Sequence, residues 1–344
     1  MMRLTSRWIL GVLVLGLSGA LVGAVPGGAR AAAAPARCRA TALVTNSGEG
    51  TVSTIDVKTR TKSPTDIAVG PTPVAVAVTP DGKTALVTTN VGPGSSGTVA
   101  TIDVKTRTTK PTDITVGMQP VALAVTPDGK TVFITNFLGS VSTIDVKART
   151  KDLADITVGT NPNGVAFRPD GKTAFVTNNG SGTVSTIDVK TRTANGREIA
   201  VGSRPFGVAI TPNGQTVFVA NILSSTVSTI DVKTMTKHPA DITVGSLPYG
   251  VAITPDGRTA FVTNYGSGTV STIDVKTRTK SPTDIAVGTN PNGVAITRDG
   301  KTAFVANYGS DSVSTIDVKT GTKHPTDIAV GTKPIRVAVT PCHR

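Results

Sequence analysis

From Pro248 to Gly288 the chain reads PYGVAITPDGRTAFVTNYGSGTVSTIDVKTRTKSPTDIAVG, four short apolar runs parted by polar, Gly-rich breaks. The first run, GVAIT, is ended by Pro-Asp-Gly, a strong hairpin turn signal. TAFVTN follows and gives way to the turn YGSG. TVSTIDV is the third run, KTRTKSPT the third break and DIAV the fourth run. No stretch places apolar residues at i, i+3, i+4 and i+7 over a helical length, so the pattern predicts strands and no helix.

The same unit recurs along the chain. The Ile of the TIDV core stands at Ile55, Ile102, Ile144, Ile187, Ile230, Ile273 and Ile316, a spacing of 43 residues for the last four steps. Four hairpin-linked strands in about 43 residues match one blade of a β-propeller. TPR, HEAT and ankyrin units need helices, and the Gly-His and Trp-Asp marks of WD40 blades are absent. The two ends of the chain then complete each other. ALVTN at Ala42–Asn46 is a second strand with no first strand before it, whereas RVAVT at Arg336–Thr340 is a first strand with nothing after it. Pairing them predicts an all-β, seven-bladed propeller of four-stranded antiparallel blades. Its closing blade is built from 41–69 plus 334–341, a 1+3 clasp that leaves no open edge.

The strings TPDGRTAFVTN and GTVSTIDVKT, repeated with small changes across residues 40–341, resemble the YVTN family of β-propeller repeats. The name motif here reads LVTN, FITN, FVTN or FVAN. The resemblance implies a propeller of the kind found in secreted and surface-layer-like proteins. Some relatives resemble lactonases or oxidoreductase subunits.

Residues 1–34 differ in kind. Arg3 and Arg7 precede an apolar run from Trp8 to Ala24, and GGARAAAAPA offers small-residue cleavage sites. This is the pattern of a secretory signal peptide, which places residues 35–344 outside the cytoplasm as a secreted or cell-envelope propeller. Membrane contact is expected only if the segment stays uncleaved. In that setting the two cysteines become informative. Aligned on the Pro-Asp-Gly turns, Cys38 and Cys342 both fall at the Asp position of the one turn that the clasp cuts. A disulfide there would replace the missing connection, and two free thiols at the termini are the alternative.

Net charge is +13, from 35 Lys and Arg against 22 acidic residues, which bears on partners and solubility. Propeller topology gathers the third breaks and the Pro-Asp-Gly turns on one face. Lys58, Arg60, Lys62, Lys105, Arg107, Lys276, Arg278 and Lys280 are therefore candidates for binding an anionic wall polymer, an acidic glycan or a protein. Solvating turns are the competing explanation. Nucleic acid is disfavoured, because these loops lack stacking aromatics. On the opposite face the blades diverge after the Pro that opens each first strand. Asn163, Phe206, Tyr249 and Asn292 stand there, with Phe137, Tyr265 and Tyr308 in nearby loops, and Arg336 replaces the usual Gly or Ala. These are candidate contacts for a sugar or peptide at the channel mouth.

Catalytic, cofactor and metal sites find little support. The seven Asp that end the third strands, Asp56 to Asp317, come one per blade, which suits turn acceptors better than a paired-carboxylate site. The expected function is a non-catalytic, monomeric envelope scaffold or binding protein. The alternative is a lactonase- or lyase-type propeller enzyme with its site in the channel.

Overall fold

The computed structural model describes residues 39–92 and 94–341, and in that range every regular element is a strand. The strands form seven antiparallel sheets, the blades of a propeller. We number the blades by their second strand, B: I (Thr41–Asn46), II (Thr84–Thr89), III (Thr131–Asn136), IV (Thr173–Asn178), V (Thr216–Asn221), VI (Thr259–Asn264) and VII (Thr302–Asn307). In blade VI, strand A is Pro248–Ile253, strand B Thr259–Asn264 and strand C Thr269–Asp274. Blade I takes its strand A from Pro334–Val339, which pairs antiparallel with strand B in the register Ala42↔Val339, Leu43↔Ala338, Val44↔Val337. The clasp expected from the strand count is therefore present. Residues 1–34, Cys38 and Cys342 lie outside the described residues.

The outer strand departs from expectation. The fourth strand lies within DIAV as expected, at Ile285–Ala286, but a further short segment, Thr279–Lys280, forms inside the expected break KTRTKSPT, and the two pair with opposite ends of strand C. In five blades the break between them contains a proline (Pro64, Pro111, Pro239, Pro282 or Pro325), which has no N–H to give the ladder. A Lys–Asp pair four residues apart spans the break in five blades. Lys62–Asp66, Lys151–Asp155, Lys237–Asp241, Lys280–Asp284 and Lys323–Asp327 all meet within 2.6–2.8 Å. Such pairs at the rim, still reached by solvent, contribute at most about 1 kcal/mol each, so they hold the shape of the break more than they stabilise the fold.

The core lies between blades. Strand B is buried on both faces, and its aromatic residue packs against the next blade. Phe133, for example, meets Ala174, Val176 and Ile187. Phe175, Phe218, Phe261 and Phe304 repeat this around the ring, while Leu43 and Leu86 fill the slot in blades I and II. Seven such clusters, one per interface, replace a single central core. At the ring's centre the strands A approach closely. A Cβ on Gly207 would lie 2.2 Å from the Tyr249 carbonyl oxygen, and one on Gly250 2.6 Å from that of Asn292. Glycine there lets neighbouring blades close the channel.

The Asp at the end of each strand C caps the turn that follows. Asp274 Oδ1 accepts from Thr277 N at 2.7 Å and Thr277 Oγ1 at 2.8 Å, and Asp56 accepts from Lys58 N and Thr59 N. The turn-acceptor expectation thus holds in detail. Backbone hydrogen bonds from the turn hold the carboxyls of Asp56, Asp103, Asp188, Asp231, Asp274 and Asp317 below the ordinary value. A depressed folded-state pKa gives stability that is complete above the unfolded value, near 3.9, and is lost as pH falls through the folded values. The melting temperature should therefore vary little on this account between pH 7 and about 5 and fall steadily below about 4. A melting curve unchanged from pH 5 to 2 would contradict the capping role.

Candidate functional site

Blade topology sends the A–B and C–D turns to one face and the D–A and B–C loops to the other. On the first face the structure divides the basic candidates. Lys58, Lys105, Lys276 and Arg278 are exposed, interleaved with Asp56, Asp103 and Asp274. Lys62 and Lys280 are tied into the Lys–Asp pairs described above. Arg107 reaches the preceding blade, where Nη2 donates to the Thr65 carbonyl at 2.5 Å, and Arg60 Nη1 lies 3.2 Å from His324 Nε2 of blade VII. The same turn position holds Arg192, which bridges to Asp152 of blade III at 2.5 Å, and Met235, which packs into the blade IV–V cluster. These arginines sit in the left-handed region, with φ of 56° at Arg60 and 59° at Arg107, where Gly321 stands in blade VII. Half of the basic set is thus engaged in holding blades, and the face is of mixed charge.

The KxxxD spacing that engages the lysines was visible in the sequence as KSPTD, KDLAD and KHPAD. The arginine bridges were not, because they depend on the gap between neighbouring blades.

The other face converges on the channel. Each residue before the strand A proline has a positive φ, such as 50° at Leu247 and 51° at Asn290, and its carbonyl turns toward the B–C loop of its own blade. Tyr265 N donates to the Leu247 carbonyl at 2.9 Å and Tyr308 N to that of Asn290 at 3.1 Å. The Asn290 side chain also donates to the Tyr265 carbonyl of the blade before it. These bonds fix two loop tyrosines beside the strand A aromatics. The rings form a row: Phe206 to Tyr249 at 4.5 Å, Tyr249 to Tyr265 stacked at 4.8 Å, and Tyr265 to Tyr308 at 6.3 Å. Burial raises the pKa of Tyr249 and Tyr265, so both keep their hydroxyl protons at neutral pH.

Arg336 completes the mouth. It belongs to the closing strand, and its side chain crosses the channel toward blade V. Nη1 donates to Asn292 Oδ1 at 2.9 Å, and the guanidinium lies 5.3 Å from the Phe206 ring centroid. Enclosure by protein lowers its pKa to about 10, an effect that Tyr249 opposes, so the group is charged at neutral pH. Asn163 and Asn292 are both buried, and the Asn163 Oδ1 has no hydrogen-bond partner. Behind the mouth, a cavity of about 140 Å³ is lined by Arg336 with Gly164, Gly207, Gly250 and Gly293 and a ring of Val and Leu. Phe206, Tyr249, Asn292 and Arg336 are thus brought together, joined by Tyr265 and Tyr308.

The asparagines that end strand B are not part of this site. Asn264 Nδ2 donates to Ser271 Oγ and Thr269 Oγ1 of strand C inside the blade. In blade II the equivalent place, opposite Pro73, is taken by Thr89. Among the described residues no group of three or more His, Cys, Asp or Glu could hold a metal ion.

Comparison with known proteins agrees on the fold. Residues 165–264 match the family model of the YNCE-like beta-propeller. No curated protein matches the chain. Among solved structures, the hydrazine synthase of Kuenenia stuttgartiensis is similar at TM-score 0.72 and 23% identity, covering 86% of this chain and 99% of that one. A functionally unknown protein from Desulfotomaculum acetoxidans is similar at TM-score 0.74 and 17% identity, with 88% and 99% covered. The periplasmic gluconolactonase of Pseudomonas aeruginosa is similar at TM-score 0.72 and 18% identity, again with 88% and 99% covered.

Proposed function

We propose that the chain is an exported, non-catalytic binding protein of the cell envelope, of the YVTN-like kind, which holds a glycan at the channel mouth. The observation that carries this reading is the row of four aromatic rings on blades V to VII, with amide groups beside it. Aromatic faces suit the apolar faces of sugar rings, and amides and tyrosine hydroxyls suit their hydroxyls. The exposed basic residues Lys58, Lys105, Lys276 and Arg278 give a weaker second contact for anionic wall polymer, and Cys38 and Cys342 form a disulfide that ties off the clasp. Peptide mapping without reductant tests that bond directly.

Titration with purified wall glycans tests the main claim. Tyr265→Ala should weaken binding about fivefold, corresponding to about 1 kcal/mol of lost ring contact. Changing the four exposed basic residues to Glu should leave that binding in place while removing retention on anionic polymer at low salt, where exposed charges are least screened. Unchanged glycan affinity in Tyr265→Ala would refute the site. The second reading, a lactonase, is suggested by the gluconolactonase that shares the fold. Hydrolysis of gluconolactone above the buffer rate, lost in Arg336→Met, would replace the binding reading with it.

A further inference from the structure

The Arg336 guanidinium is a half-buried cation in the channel wall, with no carboxylate paired to it among the described residues. Its side-chain contacts are one hydrogen bond to Asn292 and the face of Phe206. A guanidinium offers five N–H donors in a planar fork, so most of its donor capacity faces the channel. The arginines that bridge blades on the other face reach a carbonyl or a carboxylate, as Arg107 does at Thr65 and Arg192 at Asp152. A charge partly withdrawn from water and left without a counter-ion costs free energy, and a bound anion would offset that cost.

We infer that the channel mouth selects an acidic sugar, with Arg336 taking the carboxylate of a uronic acid in a bidentate pair while the ring lies on the Tyr249–Tyr265 row. The inference rests on the glycan reading above and narrows it. Three features favour a sugar acid over a simple anion. The fork of Arg336 matches a planar carboxylate. The tyrosines beside it offer a surface as long as a sugar ring. The Asn163 Oδ1 on strand A of blade IV is a buried acceptor without a protein partner, which a sugar hydroxyl would satisfy once a small side-chain movement uncovers it. Fixing this cation on the strand that closes the ring also means that the acid site exists only when the clasp is formed.

The test uses glucuronate, its methyl ester and glucose 6-phosphate, titrated into the full chain by ligand-observed NMR and calorimetry. Glucuronate should bind at least tenfold more tightly than its methyl ester, which has the same shape without the charge. Arg336→Met should abolish that preference, so that acid and ester bind alike, and Arg336→Lys should keep part of it, since a point charge lacks the fork. Tyr265→Ala should weaken both ligands together. The preference should survive in the variant with Lys58, Lys105, Lys276 and Arg278 changed to Glu, which separates the channel from the basic face. If Arg336→Met does not fold, the wild-type discrimination and Arg336→Lys decide the matter. Equal binding of acid and ester would overturn the inference and leave the glycan site standing. Tighter binding of glucose 6-phosphate would overturn the carboxylate assignment, and binding of none of the three would overturn both this inference and the glycan reading.

Discussion

A chain ending at Lys333 should lose the cooperative stability of the ring, with a melting temperature lower by 10 °C or more. The deletion removes strand A of blade I, and with it the pairing of Val337 and Val339 to Val44 and Ala42. Both valines also pack in the cluster that joins blade VII to blade I. Taking their side chains out of the structure forfeits about 1.5 kcal/mol each or more by buried area. The ladder bonds go too, including Thr340 N to the Thr41 carbonyl at 2.9 Å and Arg336 N to Thr45 Oγ1 at 3.0 Å. Losses that sum to about 5 kcal/mol correspond to 10–20 °C at about 2–4 °C per kcal/mol. Differential scanning calorimetry of the truncated and full chains measures this. A transition at the same temperature would mean that the blades stand without closure. Val337→Asp, which keeps the backbone of the strand, should fall between the two.

Phe261→Ala should cost about 3–5 kcal/mol, the range for removing a buried ring from a packed interior. Phe261 is 1% exposed and fills the interface between blades VI and VII against Ala303, Val305 and Ile316. Neighbouring strands are held by ladder bonds on both sides, so the site cannot collapse into the space. Phe261→Leu should cost far less, because Leu43 and Leu86 occupy the same slot in blades I and II. Chemical denaturation of both variants checks the pair. Equal losses for Ala and Leu would show that the slot depends on the ring itself and not on filled volume.

The parts that were legible in the sequence are those that repeat. Turn chemistry at Pro-Asp-Gly and the apolar runs gave the strands, and the unmatched runs at Ala42–Asn46 and Arg336–Thr340 gave the closure. The first half of the outer strand was not legible, since Thr279–Lys280 reads as part of the polar break KTRTKSPT. It is KSPTD, with its proline and its Lys–Asp pair, that interrupts the ladder. The mouth was visible only as divergence from the repeat, at Phe206, Tyr249, Asn292 and Arg336. That Arg336 spans the channel to meet Asn292 and Phe206 depends on ring closure, which brings residues far apart in sequence to one axis. On the basic face the sequence showed the charges but not their partners. Formal charges add along the sequence, but Arg107 and Lys280 direct theirs into neighbouring backbone and carboxylate.

The interrupted outer strand has a consequence for how copies of this protein meet. A propeller turns seven sheet edges outward at its rim, and an unbroken edge strand is a template on which another chain can add its own strand. Here six of the seven rim edges consist of two-residue segments, with a bend between them that in most blades is held by a lysine ammonium and an aspartate; blade II alone carries a longer one, Ile114–Met118. At those six edges an incoming strand would find no run of donors and acceptors long enough to zip onto. Near-identical repeats at high local concentration are otherwise prone to exchange partners across molecules, and this rim gives them little continuous to exchange.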